Sequence, residues 1–348
     1  MSKLPIPVDS KDGGTMSRSA EGLRNCTRAV ARERIAAVHR QLEDGSENGG
    51  NTFVSEVPDP VLSPLLSAEP TEAHFTLGLL HAMRGDAFAA MSAYCLGSAA
   101  CGSCSLMRRQ LAALCGLCEG RTAPDLLHAL RDILQVALVL RFPSDTADLR
   151  EKLHARHQTC EAVRPDRDVA IFAGGADSLP VHVRDVYARI LPTAFADWSG
   201  VLISGGTCSG VPGLVGELSA RLRDRRTWVS VGYHPRSLPQ HVDADARYDR
   251  LRAVGAHSVF SPLDPLSYWM DIAASGPTVD RVFLIGIGGG RISAIEYRLA
   301  AAFGAHIAVD PDSGGAAAAV FTGEAGWLAG RVRRLRATAA AIDDFLQG

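Results

Sequence analysis

A chain of 348 residues with 47% hydrophobic side chains has ample material for large cores, and its length sets an expectation of about two domains. Lys and Arg number 36 against 38 Asp and Glu, and the resulting net charge of −2 excludes a general pull toward nucleic acid or an anionic membrane. With no run of about 18 apolar residues and no apolar signal core near Met1, the expectation is a cytoplasmic protein whose 8 cysteines are thiols or metal ligands rather than disulfides.

Residues 1–64 are polar, rich in Ser, Gly, Asp and Pro, and offer too little apolar surface to offset ordering entropy, so they read as a mostly flexible segment. Within them only 20–42 has the charge spacing of a short helix, and Asp44 to Asn51 has linker composition. A helical domain is expected over 65–160, where Ala and Leu dominate and β-branched runs are scarce. Here Leu77, Gly78, Gly85, Ala90 and Tyr94 resemble one tetratricopeptide unit, in which small residues let two antiparallel helices touch and the tyrosine fills the joint. An ordinary helical bundle accounts for the same residues. Leu126 to Leu140 is strongly apolar, a helix or a buried strand, and must pack on its neighbours, on the C-terminal domain or on a second copy of the chain.

Two Cys-x-x-Cys pairs, Cys101 with Cys104 and Cys115 with Cys118, look like a four-thiolate zinc set. The intervening SLMRRQLAAL contains no turn residue, and a continuous helix at about 100° per residue draws the thiols into a stripe rather than a tetrahedron. Packing of small thiols at a helix contact is the favoured reading, and these four cysteines are the candidates if a metal binds.

From 165 to 348 strands and helices alternate. Strands are expected over 168–173, 200–204, 227–231, 257–260, 281–286 and 306–309, and helices over 181–191, 212–223, 245–253, 265–274, 291–303 and near 326–346. This alternation specifies an α/β fold, a Rossmann-like doubly wound parallel sheet preceded by a smaller all-α region. Three apolar strands run directly into glycine loops. The first leads to Gly174, Gly175, Asp177 and Ser178, the second to Gly205, Gly206, Thr207, Ser209 and Gly210, and another to Gly288, Gly289 and Gly290 followed by Arg291, Ser293 and Glu296. Ser313 and Gly314 form a fourth loop after the last strand, and Tyr233 offers a ring to stack on a base. In a parallel sheet all these loops lie at the carboxyl ends of the strands, where unhindered backbone N–H groups and helix N-termini cradle a phosphate. Tight turns alone would use the same glycines, but convergence of several loops on one edge favours a ligand crevice.

The motifs GGADSLP, ISGGTCSGVPGLVGE, SVGYHP and LIGIGGGRISAIEYRLAAAFGAHIAV lie within 167–322. Together they resemble the prokaryotic SLOG domains of the LSDAT kind, which are similar to the N-terminal cytosolic region of TRPM channels and, more remotely, to LOG phosphoribohydrolases. The resemblance implies binding of a nucleotide or nucleotide-derived signal, such as an ADP-ribose-like molecule, in a bacterial signalling or defence system. It further implies that the helical region couples to an effector protein or to self-assembly as a homo-oligomer. A nucleotide-derived ligand is expected, and no other cofactor is identified.

Where LOG enzymes carry GGxGTxxE, this chain has GGRISAIE from Gly289 to Glu296. Both glycines, a hydroxyl residue and the glutamate match, but Ile292 replaces a glycine, and a branched side chain there crowds a phosphate or ribose. Binding tolerates that change better than hydrolysis does. The alternative function is N-glycosidic hydrolysis of a nucleotide, with Glu296 as its catalytic residue. Cys208 has no base beside it in sequence and reads as a bystander, and His234 is the histidine to test as an acid or base.

Overall fold

Side chains alternate across a pleated strand, so a short apolar run buried on both faces feeds two separate cores. The computed structural model describes residues 70–119, 125–157, 159–176, 179–255, 260–322 and 326–348. Its strands are β1 (Val169–Gly174), β2 (Val201–Ser204), β3 (Val229–Pro235), β4 (Arg250–Val254), β5 (Val282–Ile287), β6 (His306–Asp310) and β7 (Arg333–Arg334). Five helices precede the sheet: α1 (Pro70–Met83), α2 (Ala87–Ala100), α3 (Cys104–Cys118), α4 (Asp125–Arg141) and α5 (Ala147–Arg156). Within the sheet region lie α6 (Val181–Ala194), α7 (Gly210–Arg221), α8 (Leu266–Ser275), α9 (Arg291–Phe303), α10 (Gly315–Ala319), α11 (Gly326–Ala329) and α12 (Ala339–Leu346).

The strands form one sheet in the order β4-β3-β2-β1-β5-β6-β7, and every neighbouring pair is parallel. The chain therefore builds outward from β1 to β4, then crosses back to the other side of β1 for β5 to β7. This reversal creates a topological switch between β1 and β5, the place where open parallel sheets leave a crevice. The expected Rossmann-like doubly wound sheet, preceded by helices, is the observed architecture.

Val169, Ile171 and Ala173 of β1 join a core with α8 and α9, whereas Ala170 and Phe172 join the opposite core with α6, α7 and α12. The helical layer belongs to the first of these cores. Its centre is α4, buried without interruption from Ile133 to Leu140, and a helix apolar on all sides needs partners on all sides. It finds them in α1, α2, α3 and α5 of its own layer and in α8 and α9 of the sheet region. The apolar run Leu126 to Leu140 is thus a helix that packs both on its neighbours and on the C-terminal region.

In the α1–α2 hairpin a Cβ on Gly78 would stand 2.3 Å from the Tyr94 ring, so the glycine is what admits that ring between the helices. Phe75 meets Tyr94 edge to face at 5.3 Å. Cys104 and Cys118 are the two ends of one uninterrupted helix, so the chain does not reverse between the Cys-x-x-Cys pairs. The 7 cysteines among the described residues are free thiols, and no group of three or more His, Cys, Asp or Glu among those residues is arranged to hold a metal ion. Nor is any described helix long and apolar enough to cross a membrane.

Two expected elements differ. The helix expected over 245–253 is replaced by an irregular segment and β4, the edge strand of the sheet. Its charges misled the periodicity, because the exposed Arg250 of an edge strand reads like a solvated helix face, while Arg252 turns to the buried Asp271. The long helix expected near 326–346 is split by β7, the other edge strand, where the Leu335 amide donates to the Val309 carbonyl at 2.8 Å. The expected flexible segment 1–64, with its helix over 20–42, and most of the strand expected over 257–260 lie outside the described residues.

Candidate ligand-binding cavity

The carboxyl ends of β1, β2, β5 and β6 open on one cavity of about 740 Å³ at the β1/β5 switch. Gly174 and Gly175 reach its wall from β1, Gly205 and Thr207 from β2, Gly288 to Gly290 from β5, and Ser313 and Gly314 from β6. Loops found separately in the sequence converge because parallel strands deliver every following loop to the same edge.

The β5 loop is pinned from behind. The amides of Ala316 and Ala317 donate to the carbonyls of Gly289 at 2.8 Å and Gly288 at 3.0 Å. The Gly288 amide donates to Ser313 Oγ at 2.7 Å, and that hydroxyl donates to the Asp310 carbonyl, so Ser313 braces the loop although it also lines the cavity. With its carbonyls held, the loop presents the start of α9, from which Arg291, Ile292, Ser293 and Glu296 line the wall. Among the described residues nothing accepts from the amides of Gly289 or Gly290. Free donors and the positive end of a helix dipole therefore face a space sized for a small molecule.

Thr207 is fully buried in the same wall, and its hydroxyl has no partner among the described residues. A buried hydroxyl left unpaired costs about 1–3 kcal/mol, and because this oxygen is sealed from the cavity surface, a ligand atom reaches it only if the wall shifts. Three other predicted residues of this loop stand outside the wall. Gly206 allows close approach to β3, since a Cβ there would come within 2.9 Å of the Gly232 backbone. Gly210 has φ +60°, and a Cβ would lie 1.9 Å from the Gly175 carbonyl oxygen, which accepts from the Val211 amide at 2.9 Å. Both glycines hold the rim in shape, whereas Ser209 is exposed and makes no capping bond. Asp177 and Ser178 lie outside the described residues.

The rest of the lining is aromatic and acidic. Tyr268 donates to Glu296 Oε1 at 3.1 Å, and burial pushes the Glu296 carboxyl up to about 8, so it holds a proton at neutral pH. Tyr268 meets the ring of Tyr233 edge to face at 5.8 Å. The Tyr233 hydroxyl donates to Asp271, which is fully buried. Asp271 also accepts from His157 Nε2 at 2.6 Å, and the Arg252 guanidinium stands 3.4 Å away. Tyr233 thus lines the cavity with its ring while its hydroxyl is committed below, and burial beside Asp271 holds its pKa well above the usual phenol range. His234 is outside the wall, with Nδ1 2.8 Å from the Pro235 carbonyl, and the exposed Cys208 thiol points to the Ala244 carbonyl at 3.7 Å.

Sequence reasoning missed Phe88, Phe260, Tyr268 and Asp264, all in the wall. Phe88 comes from α2 of the helical layer, and no spacing or motif links it to a loop about 200 residues onward. Tyr268 carries only the ordinary signal of a buried helix face.

Fold and cavity together define a Rossmann-like α/β protein with a crevice at its topological switch. No protein-family model and no curated protein matches the chain. Among solved structures it is similar to the molybdenum cofactor carrier protein of Chlamydomonas reinhardtii, with 17% identity, coverage of 52% of this chain and 99% of that one, and a TM-score of 0.36. It is also similar to the molybdenum cofactor binding protein of the phototrophic bacterium Rippkaea orientalis, with 15% identity, 52% and 96% coverage and a TM-score of 0.36. The structural-genomics target TM1055 gives 15% identity, 52% and 98% coverage and the same TM-score of 0.36.

Proposed function

We propose that the chain binds a nucleotide or nucleotide-derived small molecule of the ADP-ribose kind in the cavity at the β1/β5 switch. The observation that carries this reading is the start of α9, where the amides of Gly289 and Gly290, unpaired among the described residues, belong to a loop that lines the cavity. Amides at a helix N-terminus complement an anion, and the aromatic side chains of the lining complement a flat ring. Arg291 adds a guanidinium at the same helix end, suited to a phosphate. The resemblance to SLOG domains of the LSDAT kind points to the same ligand class.

On this reading 165–348 is the ligand-binding domain, and the helical domain over 65–160 couples occupancy to an effector protein or to assembly of copies, as in a bacterial signalling or defence system. Titration calorimetry of the full chain against ADP-ribose, NAD and AMP tests it. Saturable binding of at least one is expected, and no heat with any of the three removes the proposal.

Glu296 favours a second reading. Its carboxyl, pushed up to about 8 in the cavity, keeps a proton that it can deliver to a departing base, the general-acid half of an N-glycosidic hydrolysis. Ile292 lies in the same wall and narrows the room for a ribose there. Release of free base from the bound nucleotide, lost in Glu296→Gln, establishes hydrolysis; a bound nucleotide recovered intact excludes it.

A further inference from the structure

Of the aromatic residues in the cavity wall, most are already committed to the protein. Tyr233 and Tyr268 are buried against each other and hydrogen-bonded through their hydroxyls, and Phe172 is buried against Phe195. Phe88 differs. It stands second in α2, just after Asp86, whose carboxylate accepts from the Ala89 amide at 3.1 Å and fixes the start of the helix. Its ring stays half-buried at the cavity, whereas Phe75 and Tyr94 of the same hairpin are fully buried. No other aromatic ring among the described residues stacks on it.

What does rest on Phe88 is a cation. The Arg291 guanidinium lies 4.0 Å from the ring centroid, and among the described residues it has no carboxylate within ion-pair distance. Helices α2 and α9 pack along each other, so ring and guanidinium are held together beside the free amides of Gly289 and Gly290. Ring and guanidinium are in contact, so nothing fits between them, but both stack on aromatic planes, and a flat heterocycle can stack on the cavity side of the pair.

We propose that Phe88, supplied by the helical layer, is the ring-binding residue of the cavity, and that with Arg291 it selects anionic ligands carrying a flat heteroaromatic ring over ring-free phosphates. The proposal rests on the anion-binding reading of the glycine rim and goes beyond it in making the helical layer part of the site. The ligand's phosphate meets the start of α9, and its heterocycle stacks on the pair that Phe88 of α2 makes with Arg291. Binding therefore clamps α2 to α9 directly.

The test compares ADP-ribose with ribose 5-phosphate, which keeps the phosphorylated sugar and lacks the ring, by calorimetry on the full chain. Phe88→Ala is expected to weaken ADP-ribose binding roughly tenfold, the loss typical of one base–aromatic stack, and to leave ribose 5-phosphate binding within about twofold. Phe88→Tyr restores ADP-ribose affinity, and unchanged thermal midpoints show that each variant is folded. Equal weakening of both probes by Phe88→Ala overturns the proposal, as does weakening of neither. A wild-type chain that binds ribose 5-phosphate as tightly as ADP-ribose overturns the ring site while sparing the anion site. A chain that binds neither removes both.

Discussion

The two walls of the cavity are made of different material. The glycine rim is backbone: each loop directly follows its strand, and in the β5 loop the carbonyls of Gly288 and Gly289 are tied down while the amides of Gly289 and Gly290 stay unpaired among the described residues. The rest of the lining is side chain: Phe88 from α2, Tyr233 from β3, Tyr268 from α8 and Glu296 from α9 meet only when the chain has folded. A backbone surface gets its shape from local φ and ψ and stays rigid, which suits an anion that every ligand of a class shares. A side-chain surface gets its character from desolvation and distant partners, which suits discrimination between ligands.

Substitutions can break that contrast. The largest effect is expected from Gly210→Ala, which combines a left-handed backbone with a Cβ 1.9 Å from the Gly175 oxygen. A loss of about 3 kcal/mol or more is predicted from strain and backbone clash together, measured by urea denaturation. Wild-type stability in this variant would show the rim to be soft.

Next comes Glu296→Gln, which probes the other wall. A carboxyl whose folded pKa is raised to about 8 from 4.5 penalises the folded state only when ionised. The penalty is absent below about pH 4.5, grows as pH rises through the interval, and is complete above about pH 8. Wild type should therefore lose stability across that window by about 2–4 kcal/mol relative to Glu296→Gln, with the two chains converging at acidic pH. Parallel stability curves would mean that the carboxyl is well solvated.

Smaller effects separate binding from folding within the rim itself. Thr207→Val removes a buried hydroxyl that has no partner among the described residues, so stability should hold or rise by up to about 1 kcal/mol, and ADP-ribose affinity should stay within about twofold because that oxygen is sealed from the cavity. Gly290 has φ −110°, and nothing lies within 4 Å of a Cβ placed there. Gly290→Ala should stay within about 0.5 kcal/mol of wild type and weaken ADP-ribose severalfold by crowding the amides. If Gly290→Ala instead unfolds the chain as Gly210→Ala does, the division between shape-holding and ligand-facing glycines fails.

Much of this molecule was legible before folding. The helix over Arg291–Phe303 and the strand and loop before it were read from apolar period and glycine content, because both are properties of neighbouring residues. Arg250–Val254 was misread because charge on an edge strand and charge on a solvated helix look alike until pairing is known. Gly206, Gly210 and Gly290 were indistinguishable as letters, and only their surroundings divide them into two that hold the loops and one that faces the cavity.

By itself, then, the order of residues determined the parallel sheet and the glycine loops along one edge, since period, backbone freedom and chain direction act over a few residues. The tertiary structure alone decided that α2 reaches that edge, that Phe88 lies under Arg291, and that Glu296 keeps its proton. Those outcomes depend on packing and water exclusion summed over segments far apart in the chain, and no short window of sequence contains that sum.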